Sequence, residues 1–491
     1  MVILASIFNT CFLFLLSRLA KKKKGLKRMD KIKAFFKINE RKTTIWTELI
    51  GGLVTFLAMV YILPVNSGIL ADGTGMNFAA VFAATAIAAA IATLLMGLFA
   101  NYPVALAPGM GINAFFTYTV VLGLGIPWDQ ALAAVLISGV IFLVISVTGV
   151  RRYVINAIPK NLKLAIGAGI GFFIAFIGLK NAGVVVSSPS TFVTLGDLSH
   201  PTVLLGLFGI ILVFVLYSLH KKISRFAVIL SIVAVAVIGL LLGAVFPSLK
   251  DLMPAYGGDN LGSVKDLKET FGKCFTAIPE LLKNPSAYAV IFTFLFVDFF
   301  DTAGTLVAVG KDANLLDENG QMIGDDKAFL SDAVGTVVGS VLGTSTVTSY
   351  IESTTGIQSG ARTGLSAVVV GLLFIVSLLF YPLFSVAGSI EVAPNVFYSP
   401  VTAMALVFVG AMMIGALKEI DWKDPIVVVC AFITIIMMLT AYSIAEGIAF
   451  GFIFYVLMMT VSKRHKEVSL PMYILALLFV VNFVIKFTVL Q

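Results

Sequence analysis

Charge is scarce in this sequence: 12% of its 491 residues are Asp, Glu, Lys or Arg, where a soluble domain carries about a quarter. With 59% hydrophobic residues beside it, that shortage excludes a soluble globule. Cysteine is nearly absent. Cys11, Cys274 and Cys430 are too few and too scattered for a disulfide framework or a CxxC metal site, and Cys430 lies in an apolar run where a small hydrophobe fits. The three histidines, His200, His220 and His465, fall between apolar runs, so neither an imidazole proton relay nor an HExxH zinc helix is available. No metal and no cofactor is called for. The net charge of +8 invites a nucleic-acid reading, but its placement serves membrane orientation instead.

What the chain has in quantity is long apolar runs. They fall at 48–70, 77–100, 103–121, 129–149, 160–180, 203–219 and 226–246, then, after a hydrophilic connection, at 288–309, 328–343, 345–358, 363–383, 398–417, 425–440 and 443–461. Most are long enough for a helix to cross a bilayer, which takes about 20 residues. With the N-terminus placed in the cytoplasm, 27 of the 34 Lys and Arg residues lie on that side, 12 of them before Glu48, and the short external loops hold only Lys180. This is the positive-inside pattern. The expected division is a basic cytoplasmic N-terminal segment 1–47, a first seven-helix repeat 48–246, an external connection 247–286, a second seven-helix repeat 287–462, and a C-terminal segment 463–491 with an extra apolar helix. Residues 1–28 read as an upstream start before Met29 or as an interfacial basic segment, and 472–490 as a further span or an interfacial helix.

Seven spans per half make the second half enter from the opposite side, as in an inverted repeat. The fold class is an all-α polytopic membrane protein of about 14 transmembrane helices in a 7+7 inverted repeat. Sites in such proteins form where helices are interrupted at matching positions. Span 3 reads NYPVALAPGMGINAFF, broken by Pro103, Pro108, Gly109, Gly111 and Asn113; span 10 reads GTSTVTSYIESTTGI and carries Glu352. Amides freed at such breaks can hold a polar planar ligand.

The stretch AYAVIFTFLFVDFFDTAGTLVAVG, 287–310, carries Asp298 and Asp301 inside an apolar span. One acid at the bilayer centre costs roughly 2.5 to 3.5 kcal/mol, so both should face protein or a cavity. Asp298, Asp301, Thr302 and Thr305 share one helix face at i, i+3, i+4, i+7. Elsewhere, Gly335, Gly339 and Gly343, and Gly167 with Gly171, read as close helix packing; KDANLLDENGQ reads as a solvated turn, its acids missing the calcium-loop spacing; Glu48 reads as an interfacial acid at a helix N-terminus.

TELIGGLVTFLAMVYILPVN, ALAPGMGINAFF, FVDFFDTAGT, GTSTVTSYIESTTGI and ARTGLSAVV together resemble the AzgA-like branch of the nucleobase-cation symporter 2 family, bacterial and fungal purine permeases, from about Asn39 to Val461. The resemblance implies a core domain of spans 1–4 and 8–11, a gate domain of spans 5–7 and 12–14, and proton-coupled uptake of adenine, hypoxanthine or guanine across the cell membrane. It places binding residues at Asn113, Asp298, Asp301 and Glu352. In the related uracil and xanthine branches, glutamates facing the base stand where Asp301 and Glu352 stand here. Leu439, Pro64 and Ala361 depart from the family pattern.

A purine offers ring N–H donors and N or O acceptors in one plane, which a carboxylate, an amide and free backbone groups satisfy together. The substrate-binding candidates are Asn113, Glu352, Asp301, Gly111 and Thr305, with Phe115, Phe116 or Tyr350 for stacking. Asp301 and Asp298 are the proton-coupling candidates, because a dehydrated site favours the neutral form of an acid. Partners are thus a purine nucleobase, a proton and the lipid bilayer; a homodimer stays open. Alternatives are an anion or carboxylate transporter on the same fold, sodium-coupled nucleobase uptake, and a membrane enzyme, for which a nucleophile–histidine or metal constellation is missing.

Overall fold

The computed structural model describes residues 25–148, 158–257, 262–313, 315, 325–393 and 396–489. Residues 1–24 lie outside these, and with them most of the 1–28 reading; so does 316–321, most of the KDANLLDENGQ turn. In order, the first half holds α1 (Ile45–Met59), α2 (Ile62–Ala71), α3 (Phe78–Leu95), strand β1 (Leu106–Pro108), α4 (Met110–Ala114, continuing as π-helix to Gly123), α5 (Trp128–Thr148), α6 (Lys160–Asn181), the hairpin β2 (Val185–Ser188) and β3 (Phe192–Leu195), α7 (Pro201–Ser218) and α8 (Ala227–Val245). After α9 (Lys273–Lys283) the second half holds α10 (Ser286–Asp312), α11 (Asp325–Leu342), β4 (Val347–Ser349), α12 (Ser353–Gln358), α13 (Gly364–Ser377), the hairpin β5 (Ile390–Ala393) and β6 (Val396–Tyr398), α14 (Pro400–Met413), α15 (Pro425–Thr440), α16 (Ile444–Val461) and α17 (Leu470–Val489).

Among the described residues, ten helices are long and apolar enough to cross a membrane. Their outer faces confirm the solvent they are built for: α8 exposes Leu230, Val233, Val237 and Leu241, one stripe at helical spacing that only lipid or a partner can cover. The inner faces are made of small residues. α3, FAAVFAATAIAAAIATLL, is buried along most of its length, and its alanines let α11 and α13 lie close on either side.

The packing repeats itself with the halves exchanged. α3 packs on α13 as α11 packs on α5; α1 on α13 as α10 on α5; α7 on α14 as α15 on α6. A sharper sign lies in the strands. The Thr93 hydroxyl donates to the Leu106 carbonyl and accepts from its N–H, both at 2.9 Å, and Thr336 does the same for Val347, both at 3.1 Å. This is the seven-plus-seven inverted arrangement.

Three expectations need correction. The connection after 246 is not simply hydrophilic: α9 buries Cys274, Ala277 and Leu281, one face at i, i+3, i+7, and packs on α5. Glu48 is not interfacial. It is fully buried, and its carboxylate accepts from the backbone N–H groups of Arg362 at 2.8 Å and Thr363 at 3.2 Å, so it caps the start of α13, where a negative charge is favoured. Gly167 makes no close approach, whereas a Cβ on Gly171 would stand 2.7 Å from Met413 Cβ and 2.8 Å from the Gly410 carbonyl. The helical class holds, and among the described residues the strands form three short two-stranded sheets between helices.

Candidate functional site

The site begins with backbone that cannot be helical. Pro103 and Pro108 lack the N–H an α-helix needs, and the residue before each is pushed toward extended conformations; the β-branched run Thr346–Val347–Thr348 has the same preference. Both segments therefore run extended inside the bundle, where each must find hydrogen-bond partners. They find each other. β1 and β4 pair antiparallel with Leu106 opposite Ser349, Ala107 opposite Thr348 and Pro108 opposite Val347. The pairing continues as Gly109 N–H to the Thr346 carbonyl at 3.1 Å and Tyr350 N–H to the Ala105 carbonyl at 3.0 Å. Past this crossing α4 and α12 start, each in its own half.

Side chains from four elements converge on the crossing. On α4, fully buried Asn113 accepts from the Ser345 hydroxyl through Oδ1, and its Nδ2 has no partner in the protein. Glu352, half-buried at the end of the second extended segment, accepts from the Tyr61 hydroxyl. Tyr61 sits there because Pro64 has no N–H for the Val60 carbonyl, which breaks the first span between α1 and α2. Asp301 on α10 is half-buried and lies within electrostatic reach of Glu352. Gly109 separates these groups, since a Cβ there would lie 2.7 Å from Thr348 Cγ2 and 3.4 Å from Asp301 Oδ2. Tyr350 donates to the Pro108 carbonyl at 2.5 Å.

The remaining candidates are placed differently. Gly111 is a spacer, because a Cβ there would meet Ile170 Cγ2 of α6 at 2.7 Å. Thr305 is half-buried one turn beyond Asp301. Phe115 packs edge-on against Phe294, with centroids 5.0 Å apart, and Phe116 is buried against the same ring at 6.3 Å. Asp298 turns toward α11, where it shares a hydrogen bond of 2.9 Å with Thr336, the hydroxyl that also holds Val347 of β4. Two polar residues go unnoticed in the sequence. Asp332 on α11, fully buried, accepts from Thr302 at 2.8 Å; a lone acid in an apolar span was signal enough to find it. Asn66 donates to Thr85 at 2.6 Å and to Thr344 at 2.8 Å, beside the start of the second broken segment.

Lipid-facing helices around a polar crossing of two broken segments define a solute-carrying membrane protein of several passes, built to bind and move a small molecule rather than to transform it. The family model Xan_ur_permease, described as "Permease family", matches residues 47–426, and the chain belongs to that family, part of the nucleobase-cation symporter 2 superfamily. It is 46% identical over 461 residues to the guanine/hypoxanthine permease PbuG of Bacillus subtilis, covering 92% of this chain and 99% of the relative. It is 41% identical over 449 residues to the adenine permease AdeP of Escherichia coli, covering 91% and 95%. Among solved structures it resembles the transmembrane domain of a cyanobacterium bicarbonate transporter, BicA, with a TM-score of 0.52 at 16% identity, covering 82% of this chain and 97% of that one. That likeness concerns the fold.

Proposed function

We propose that this permease imports purine nucleobases, adenine, hypoxanthine or guanine, by proton symport across the cytoplasmic membrane, with its N-terminus in the cytoplasm. The observation that carries the reading is the pairing of Asn113 and the acids Asp301 and Glu352 around the β1–β4 crossing. Asn113 keeps a buried amide N–H₂ without a protein partner, a donor for a ring nitrogen or carbonyl of the base. The two carboxyls offer acceptors for ring N–H groups, and each can carry a proton. The purine names of the relatives agree with this donor and acceptor set.

Glu352 is the base-binding acid and Asp301 the acid whose proton is coupled to transport. Asp298, turned toward α11, is one step removed. The helices around the crossing, α1–α5 with α10–α13, form a core that carries the site past a gate of α6–α8 with α14–α16. An anion carrier on the same fold fits less well, because the side chains gathered at the crossing are carboxylates, amides and hydroxyls. The test is uptake of radiolabelled guanine, hypoxanthine and adenine into proteoliposomes under an imposed pH gradient, with and without sodium and a protonophore. Purine accumulation that collapses with protonophore supports the reading. Sodium-dependent accumulation would replace the coupling ion, and transport of bicarbonate or a dicarboxylate without any purine would overturn the substrate.

A further inference from the structure

One hydroxyl behind the crossing is asked for more hydrogens than it has. In the β1–β4 pair, bonds join Ala105 with Tyr350 and Gly109 with Thr346, and in an antiparallel ladder such pairs alternate with unbonded ones. Val347, opposite Pro108, falls in an unbonded pair, so its N–H and C=O point away from β1. Both go to Thr336 on α11: the N–H donates to the hydroxyl oxygen at 3.1 Å, and the carbonyl stands 3.1 Å from it as an acceptor. The same hydroxyl lies 2.9 Å from Oδ2 of the buried Asp298 on α10. Its one hydrogen therefore faces two acceptors.

The other half shows how such a clip is satisfied. Thr93 on α3 holds Leu106 of β1 through the same two bonds, and its hydrogen goes to the carbonyl alone. If Thr336 does likewise, an ionised Asp298 has no hydrogen bond at either oxygen, since its Oδ1 has no partner. If the hydrogen turns to Asp298 instead, the Val347 carbonyl loses its donor. Either state leaves a buried polar group unmet. A proton on Asp298 removes the conflict: the carboxyl O–H donates to the Thr336 oxygen, Thr336 donates to the Val347 carbonyl, and only a neutral carbonyl oxygen stays unpaired. Asp332 meets no such shortage, because its partner Thr302, at 2.8 Å, can itself receive from Thr348 at 2.8 Å. The charged groups acting on Asp298 are two more acids, Asp301 on its own helix and Asp332 on α11. None of the ion pairs among the described residues involves it.

We propose that Asp298 is held as a neutral acid throughout transport and is a positioning residue, which with Thr336 ties α10 and α11 to β4. The tie matters because α10 carries Asp301 one turn further on, and β4 leads through Tyr350 to Glu352. It fixes where those two acids stand relative to each other at the crossing. A proton carrier has to be charged in part of its cycle, and an ionised Asp298 would undo the clip beneath β4. The travelling proton therefore belongs to the acids at the crossing. By sequence Asp298 and Asp301 are equal coupling candidates; the hydrogen count separates them. The bearing on coupling rests on the purine–proton reading above, whereas the protonation of Asp298 does not.

Infrared difference spectra of the full chain in lipid, unmodified against Asp298→Asn, read the proton directly at about pH 8, some four units above the ordinary value for Asp. The expected difference is the carbonyl stretch of a protonated carboxyl group, lost in the variant. A difference in the carboxylate bands instead overturns the proposal. The second measurement is hypoxanthine transport in proteoliposomes. Asp298→Asn keeps the shape and offers an N–H where the acid offers an O–H; Asp298→Leu offers no donor. At equal pH on both sides, the apparent KM for counterflow should stay within about threefold in the asparagine variant and rise about 5- to 30-fold in the leucine variant. Accumulation under a pH gradient, relative to counterflow, should be unchanged in the asparagine variant. Thr336→Val removes the hydroxyl, keeps the shape and should raise KM as the leucine does; it takes that variant's place if Asp298→Leu does not fold. Counterflow without accumulation in Asp298→Asn overturns the neutral acid, and an unaltered KM in Asp298→Leu and Thr336→Val overturns the positioning role. If the unmodified protein does not exchange hypoxanthine, the purine reading fails, and the infrared spectra still decide the protonation of Asp298.

Discussion

Tyr61 and Glu352, 291 residues apart, are joined by a hydrogen bond in which the phenol donates to carboxyl oxygen Oε1. One belongs to the broken first span, the other to the broken tenth, and the contact fixes which oxygen of Glu352 remains for a ligand. Tyr61→Phe keeps the buried ring and removes that donor. It should cost about 1 to 2 kcal/mol of base binding, a roughly 5- to 30-fold rise in apparent KM, as Glu352 loses its orientation. Concentration-dependent hypoxanthine uptake checks this, and an unaltered KM would mean that Tyr61 does not position the acid.

Asn113 spends its Oδ1 on Ser345 and keeps its buried N–H₂ group unspent. Asn113→Ala should therefore weaken purine binding by about 1 to 3 kcal/mol, the cost of an unmet polar group in a buried site, while the protein still reaches the membrane. Ser345→Ala should cost less, because Asn113 then loses only an orienting partner. Competition by unlabelled purines against labelled uptake separates the two; equal affinities in all three proteins would remove Asn113 from the site.

Asp301→Asn and Glu352→Gln should fail in different ways. The asparagine keeps the shape of Asp301 but carries no titratable proton, so accumulation should be abolished while equilibrium binding falls less. The glutamine turns one acceptor toward the base into a donor, and binding itself should fall by about tenfold or more. Paired measurements of affinity and of pH-driven accumulation decide this, and normal accumulation by Asp301→Asn would move the coupling proton elsewhere.

Glu48→Ala leaves the N–H groups of Arg362 and Thr363 without an acceptor in a buried setting and removes a favourable charge from the start of α13. A loss of about 1 to 3 kcal/mol in stability is expected, seen as a lower melting temperature of the purified protein in detergent. Transport per folded molecule should stay near wild type. Unchanged melting would show that water reaches and satisfies those amides.

Much of this was legible in advance. Apolar runs pointed to a multi-pass membrane protein in two inverted halves, and the Pro/Gly break before Asn113 marked the segment that runs extended as β1, because lipid forces backbone to pair. The pairing of β1 with β4 was not legible, since two three-residue strands 240 positions apart leave no periodic trace. Tyr61 was missed for a related reason: it is a lone polar group whose meaning lies in Glu352, 291 residues away, whereas Asp332 could have been found as a lone acid in an apolar span. Glu48 misled because its position at the start of a span looks the same whether its partner is water or another helix's amides.

The crossing of the two broken segments also sets a clock on biogenesis. Pro108 and Tyr350 are separated by 242 positions, which a ribosome adding about 5 to 20 residues per second takes roughly 10 to 50 s to cover. For that interval the first broken segment has no β4 to pair with, and its backbone N–H and C=O groups need another partner, protein or water, until β4 arrives. A chain that terminates before β4 never gains that partner, so its first half cannot satisfy its own backbone in the way the complete protein does.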